Sequence, residues 1–203
     1  MNKKADILAK IISIIFNPFI IPSLGILLIF CSGTYISAIP FEAKRLIFAL
    51  IFAGTFLIPL SFLPLMVYLK LIDDINISDK KQRLLPLIIT GIIYFTTFYL
   101  IRRMPIPFIN VFLLGSTICI AINALIVSWW KISSHLMGVG GLVALAIGLI
   151  FRLHAHMPFL LICCVLIAGL VGFARLQLKA HTPAQVYVGF FVGFGVVAGL
   201  MLL

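Results

Sequence analysis

Long apolar stretches separated by short polar connections dominate this chain. Runs without Asp, Glu, Lys or Arg cover residues 11–41, 46–69, 84–101, 104–130, 132–151, 153–174 and 180–203. Each is about long enough to cross a hydrocarbon core of roughly 30 Å as a helix. None alternates between apolar and polar residues with the period of a β-strand, which favours helices. We therefore predict an all-α, polytopic membrane helix bundle of six to seven transmembrane helices, with residues 1–203 as a single integral membrane domain.

The first run differs from the others because prolines interrupt it. Lys3, Lys4 and Lys10 precede it, as in a secretory signal, but the run is too long for one and lacks a small-residue cleavage site. We expect a retained first span. Asn17-Pro18 and Pro22 predict a kinked or re-entrant segment there.

Composition supports a membrane protein and argues against a nucleic-acid partner. Hydrophobic residues make up 64% of the chain and charged residues only 10%, more apolar than a soluble domain of this size requires. The net charge is +10, but its cations lie in short connections, where the phosphates of membrane lipids are the expected partners. The four cysteines lie inside apolar runs without metal-ligand spacing.

Alternation of seven spans would place residues 70–85, 129–134 and 175–182 on the same side as the N-terminus. That side carries ten Lys and Arg residues against five on the other, which would place it in the cytoplasm. Without Lys80, Arg83, Lys131 and Arg175, four cations suited to bind phosphate, the counts become six and five, and the orientation is left open.

Two polar segments on this shared side contain a histidine, a cation and small hydroxyls. Residues 130–135 read Trp-Lys-Ile-Ser-Ser-His, and residues 174–185 read Ala-Arg-Leu-Gln-Leu-Lys-Ala-His-Thr-Pro-Ala-Gln. Such groups are costly beside lipid, so their presence indicates function. In the second segment, Thr182, Pro183 and Gln185 form the capping-box pattern of a helix start, which places His181 just before the helix.

The first segment has a similar arrangement. A helix that begins at Ser133 or Ser134 would offer its free N–H groups to an anion beside His135. The glycines that follow, at 138, 140 and 141, permit close helix packing or serve the site, and both interpretations are open.

These two segments resemble motifs of the type 2 phosphatidic acid phosphatase family of membrane lipid phosphatases. Ser133-Ser134-His135 is similar to the family's Ser-Gly-His motif, with Ser134 in the glycine place. Arg175, His181 and Gln185 keep the spacing of its Arg, five residues, His, three residues, Asp motif. A looser version of its first motif is formed by Lys80, Arg83 and Pro86. The resemblance covers about residues 80–203 and implies a divergent member.

The resemblance implies roles for these residues. His181 would be the nucleophile that forms a phosphohistidine, and His135 would protonate the leaving oxygen. Gln185 would stand where the family has the Asp that orients the nucleophile, but without its negative charge. No metal or other cofactor is implied. The phosphate would be held by Arg175, Ser133, Ser134, Lys131, Lys80 and Arg83.

The implied activity is hydrolysis of a lipid phosphate or an isoprenyl diphosphate. The resemblance also implies a bacterial inner (plasma) membrane, with the site on the periplasmic face. With Gln185 in the Asp place, two further functions stay open: a slow phosphatase, or a binder or flippase of lipid phosphates with a degraded catalytic site.

A different chemistry is indicated by Asp73, Asp74 and Asp79. Clustered carboxylates at a membrane face bind Mg²⁺ and a diphosphate, as in a magnesium-dependent prenyl or diphosphate transferase. Such a site normally needs a second acidic cluster, and only Asp6 and Glu42 remain. The histidines at 154 and 156, on the other side, form a pair without a third metal ligand nearby.

Overall fold

The fold is entirely helical over the residues that the computed structural model describes, 3–74 and 81–202. Nine α-helical segments follow one another in this part of the chain, with no strand among them. They are α1 (Lys3–Ile15), α2 (Ile21–Phe30), α3 (Phe41–Phe52), α4 (Ile58–Tyr68), α5 (Leu84–Ile101), α6 (Pro107–Val127), α7 (Ser134–Leu153), α8 (Pro158–Gln177) and α9 (Pro183–Leu202). Short 3-10 turns lie at Tyr35–Ala38 and Lys81–Arg83.

Six of the helices in the described ranges are long and apolar enough to cross a membrane. They are α5 to α9 and the continuous helix Phe41–Tyr68, in which a π-helical turn at Ala53–Leu57 joins α3 to α4. Most of their outward-facing large side chains are apolar, as lipid contact requires. The predicted all-α bundle of six to seven spans is confirmed, and we treat the chain as an integral membrane protein.

The first apolar run is not one continuous helix. It is divided into α1, which ends at Ile15, and the ten-residue α2, which is only about 15 Å long and so covers about half of a hydrocarbon core. The break falls at Asn17-Pro18, where the Asn17 side-chain oxygen accepts a hydrogen bond from the Phe19 N–H at 3.0 Å. Proline disfavours helical backbone in the residue before it, so the local sequence at Asn17-Pro18 is sufficient to interrupt the helix.

A second irregularity, the π-helical turn, is stabilised by the neighbouring helix α5. Pro59 has no N–H to donate to the carbonyl of Thr55, four residues earlier. The Tyr94 hydroxyl donates to that carbonyl at 3.0 Å. Nearby, a Cβ added to Gly54 would lie 2.0 Å from the Thr97 hydroxyl, so the two helices are in close contact here.

Helix α7 is the centre of the bundle, with 12 of its 20 residues buried. Its contact with α9 is made backbone to backbone through glycines. A Cβ added to Gly193 would lie 1.8 Å from the Met137 carbonyl oxygen, and one added to Gly140 would lie 2.2 Å from that of Phe190. Small residues allow this approach, as is typical of membrane helices.

Helices α7 and α9 run in the same direction, which fixes which connections share an end of the bundle. The Ser133 N–H donates to the Gln185 carbonyl at 3.3 Å, where both helices start. At the other end, Arg152 donates to the Leu202 carbonyl at 3.4 Å. The connections 129–134 and 175–182 therefore lie at the same end, as the alternation of spans predicts.

Candidate functional site

A cavity of about 370 Å³ opens at this shared end and continues between the helices. Its wall is polar at one end and apolar beyond. The polar end has side chains from four helices and three connections: Ser13, Asn17, Arg83, Asn123, Ser134, His135, Arg175 and His181. The apolar part includes Leu63, Leu87, Tyr94, Phe112, Ile120 and Val197. The cavity therefore combines a cationic head region with an apolar arm.

His181 lies in the connection between α8 and α9 and is held by the predicted capping box. The Thr182 hydroxyl accepts from the Gln185 N–H at 3.4 Å, and Gln185 Oε1 accepts from the Thr182 N–H at 3.1 Å. His181 Nδ1 lies 3.2 Å from that same Oε1.

These contacts assign the proton of the His181 ring. The backbone N–H of Thr182 can only donate, so the Gln185 atom that it meets is the amide oxygen and not the nitrogen. An oxygen can only accept from His181, so Nδ1 carries the proton. In the neutral ring, Nε2 then has the lone pair that a nucleophile needs.

The surroundings keep His181 neutral. Burial, followed by the positive charge of Arg175, lowers the pKa of His181 from 6.5 to about 4, while the hydrogen bond to Gln185 acts in the opposite direction. Arg83 and Lys131 add to the lowering of its pKa. At neutral pH the imidazole is therefore uncharged and surrounded by cations.

His135 lines the same cavity from the second residue of α7. Its Nε2 lies 3.2 Å from the backbone carbonyl oxygen of Ser13 in α1. A carbonyl oxygen accepts only, so Nε2 carries a proton in this arrangement. His135 also lies within electrostatic range of Arg175, His181 and Arg83, so the structure brings together the two histidines that are 46 residues apart in sequence.

Arg175, near the end of α8, has an unsatisfied donor. Its NH1 group donates to the Ser13 hydroxyl at 3.3 Å, but its Nε is buried and has no hydrogen-bond partner. Buried donors normally have a partner, and an orphan of this kind is expected where an acceptor binds. Arg175 is the site residue best prepared to receive an anionic oxygen.

Two further cations, Arg83 and Lys131, lie at or near the polar end of the cavity. Arg83 lines it just before α5, and burial lowers the pKa of its guanidinium from the usual value. Lys131 is not in the lining, but burial and the charges of Arg83 and Arg175 lower its pKa. Like charges gathered in a partly buried place are unfavourable unless an anion offsets them. The arrangement is therefore suited to a multiply charged anion.

The two adjacent serines have different roles. Ser133 is fully buried and outside the cavity lining; its hydroxyl accepts from the Leu136 N–H at 3.5 Å and so caps α7. Ser134 lines the cavity, and its hydroxyl accepts from the Asn123 amide at 2.7 Å. The Ser134 O–H therefore does not donate to Asn123 and points in another direction. Of the two serines predicted to hold phosphate, the structure places only Ser134 in the cavity.

The remaining predicted site residues are also accounted for. Gln185 is outside the lining and contacts His181 through Nδ1 of its ring. Lys80 lies outside the described residues, and so does Asp79. Asp73 is occupied with Gln82: it accepts from the Gln82 amide at 2.5 Å, and its N–H donates to the Gln82 oxygen at 3.0 Å.

Within residues 3–74 and 81–202, no group of three or more His, Cys, Asp and Glu side chains is placed to hold a metal ion. His154 and His156 are exposed and follow α7, at the end of the bundle opposite the cavity mouth.

Three polar residues of the site, Ser13, Asn17 and Asn123, were not predicted as site residues from the sequence, where Asn17 was singled out only for the helix break. Asn123 carried a signal, since a buried amide inside an apolar 21-residue helix is costly and indicates function. Ser13 carried none, because serine is ordinary in apolar helices. Only the packing of α1 against α8 brings it to Arg175 and His135.

The chain was compared with known proteins. No protein-family model, no curated protein and no solved structure matches it.

Proposed function

We propose that this protein is a membrane phosphohydrolase that removes phosphate from a lipid phosphate or isoprenyl diphosphate through a phosphohistidine on His181. The observation that carries the proposal is the convergence of His181, His135, Arg175 and Arg83 at the head of one cavity that continues into an apolar arm. Such a cavity offers separate places for a charged headgroup and a hydrocarbon tail. The proposal agrees with the resemblance to the type 2 phosphatidic acid phosphatases, and a bacterial inner membrane is part of it.

The first step follows from the protonation state of His181. His181 Nε2 attacks phosphorus, a P–N bond forms and the P–O bond to the lipid breaks. His135, as the imidazolium that a bound anion favours, gives a proton to the departing oxygen. Water then attacks the phosphohistidine and gives a proton to the neutral His135, so the P–N bond breaks, phosphate is released and the Nε2 lone pair of His181 is restored. The cations stabilise the negative charge of both transition states from fixed positions.

The number of cations at the polar end of the cavity indicates how much negative charge the headgroup should carry. Arg175, Arg83 and Lys131 act electrostatically on His181, and neither carboxylate of the Asp73–Asp74 pair is in the cavity lining. This supports a headgroup with at least two negative charges. The same feature would serve a protein that binds lipid phosphates or moves them across the membrane without cleaving them.

Phosphate release distinguishes these functions. Purified protein in EDTA is incubated with a panel of lipid monophosphates and isoprenyl diphosphates, and released phosphate is measured. We expect release by the wild type and none by His181→Ala. His156→Ala, which changes an exposed histidine at the opposite end, is the matched control and should retain activity.

The intermediate provides a second, independent measurement. A substrate with a ³²P label should leave acid-labile, base-stable label on the wild type and none on His181→Ala. His135→Ala should slow release most for poor leaving groups. Binding without release across the panel would favour the binder or flippase. Release only in the presence of Mg²⁺ would favour the transferase chemistry of Asp73, Asp74 and Asp79.

A further inference from the structure

The apolar arm of the cavity is formed by single faces of helices that descend from the polar end. On α6, the lining residues Asn123, Ile120, Ser116 and Phe112 are spaced by three or four positions and so lie on one face. On α5 and the 3-10 turn just before it, the lining runs from Arg83 to Tyr94 in the same way. Each face extends over 11 residue steps, which is about 16 Å of helix, or roughly half of a hydrocarbon core.

Two aromatic rings lie at the far end of these faces. Phe112 is 1% exposed, and its ring occupies a notch in α2, where a Cβ added to Gly25 would lie only 2.3 Å away. Tyr94 is held by its hydrogen bond to the Thr55 carbonyl. Both rings are therefore held in place by their neighbours, and they form a rigid end to the apolar arm.

We propose that the arm binds the hydrocarbon chain of a lipid whose phosphate occupies the polar end, and that Phe112 sets the length of chain that fits. The position of the phosphate rests on the proposed function. The selection of chain length rests on the shape of the arm and requires no turnover.

The physical reason for length selection is fit. Membrane lipid is as apolar as the arm, so a chain gains little by transfer from one to the other. What changes with length is contact: a short chain leaves space unfilled, and a long chain meets the Phe112 ring. An optimum length is therefore expected, in contrast to a steady rise of affinity with each added carbon.

The test measures binding of a series of single-chain alkylphosphonates, from octyl to octadecyl, at equal mole fraction in mixed micelles. Their P–C bond cannot be hydrolysed, so the measurement is independent of catalysis. We expect the wild type to bind an intermediate length best. Phe112→Ala should move the optimum to longer chains by at least one member of the series.

Two more variants sharpen the result. Ser116→Phe, one turn nearer the polar end on the same face, should move the optimum to shorter chains. Phe108→Ala is the matched control, since Phe108 is a buried phenylalanine on α6 that lies against Gly148 and outside this cavity. It should leave the optimum unchanged. If Phe112→Ala fails to fold, Ser116→Phe carries the test alone.

The outcomes are distinct. An optimum that is the same in the wild type, Phe112→Ala and Ser116→Phe, or affinity that does not depend on length, overturns the inference. A shifting optimum without phosphate release from any lipid phosphate supports the inference and rejects the proposed function. Phosphate release without any dependence of binding on chain length supports the proposed function and overturns the inference.

Discussion

His181 Nδ1 lies 3.2 Å from Gln185 Oε1, and this contact decides which nitrogen of the ring carries the proton. In the proposed mechanism, a neutral amide orients the imidazole as a carboxylate would, but it cannot stabilise the positive charge that would develop on the ring during attack. The same amide oxygen also accepts from the Thr182 N–H, so Gln185 links the start of α9 to the chemistry of the site.

Replacing this amide by a carboxylate tests its role. We expect Gln185→Asp to raise turnover and to move the acid limb of the pH profile to higher pH, because a negative charge beside Nδ1 raises the pKa of His181. Folding should survive, since an acidic residue in the first turn also favours the helix. Gln185→Ala, which removes both contacts, should lower turnover and stability. Equal pH profiles for wild type and Gln185→Asp would contradict an interaction with His181.

The low pKa of His181 also predicts how stability depends on pH. Between pH 6.5 and about 4, the unfolded chain binds a proton at this histidine that the folded protein does not. The free energy of unfolding should therefore fall as the pH is lowered through this window.

Thermal unfolding in detergent across this window measures the effect. His181→Asn should reduce the pH dependence, because it removes the group that titrates. His154→Asn is the control: that histidine is exposed, and its φ of 51° is one that Asn tolerates. An unchanged pH dependence in His181→Asn would mean that another group is responsible.

The glycine contacts between α7 and α9 make a paired prediction. Gly193→Ala places a methyl group where the Met137 carbonyl oxygen lies, so the two backbones must separate. We expect the loss of several kcal/mol typical of an overpacked core, or failure to fold. Gly195→Ala, in the same helix, meets nothing within 4 Å and should be neutral or stabilising by up to about 1 kcal/mol. Thermal unfolding of the two variants gives the comparison, and similar stabilities would argue against this packing.

Cysteine labelling tests the arrangement of the ends in the membrane. In a background without the native cysteines, Ser128→Cys and Lys179→Cys should be labelled from one side of sealed vesicles by an impermeant reagent. Arg103→Cys and His156→Cys should be labelled from the other side. All four positions are exposed. Labelling of Ser128→Cys and Lys179→Cys from opposite sides would exclude a shared site at His135 and His181.

Sequence alone determined the features that depend on local chemistry. Run lengths without charge predicted the helical bundle, Asn17-Pro18 predicted the break in the first run, and the pattern of Thr182 and Gln185 predicted the cap of α9. These follow because solvation by lipid, proline geometry and capping act within a few residues of the chain.

Tertiary structure alone decided the composition of the cavity. The connection of Ser13 to Arg175 and His135 spans more than 120 residues, and no local pattern encodes it. Packing also separated two neighbouring serines, because the direction of α7 turns the Ser133 hydroxyl to its own helix and leaves Ser134 at the cavity beside Asn123. Both outcomes depend on how the helices pack. That packing is set by the glycine contacts between α7 and α9 and by the break between α1 and α2, and not by the local sequence around Ser13, Ser133 or Ser134.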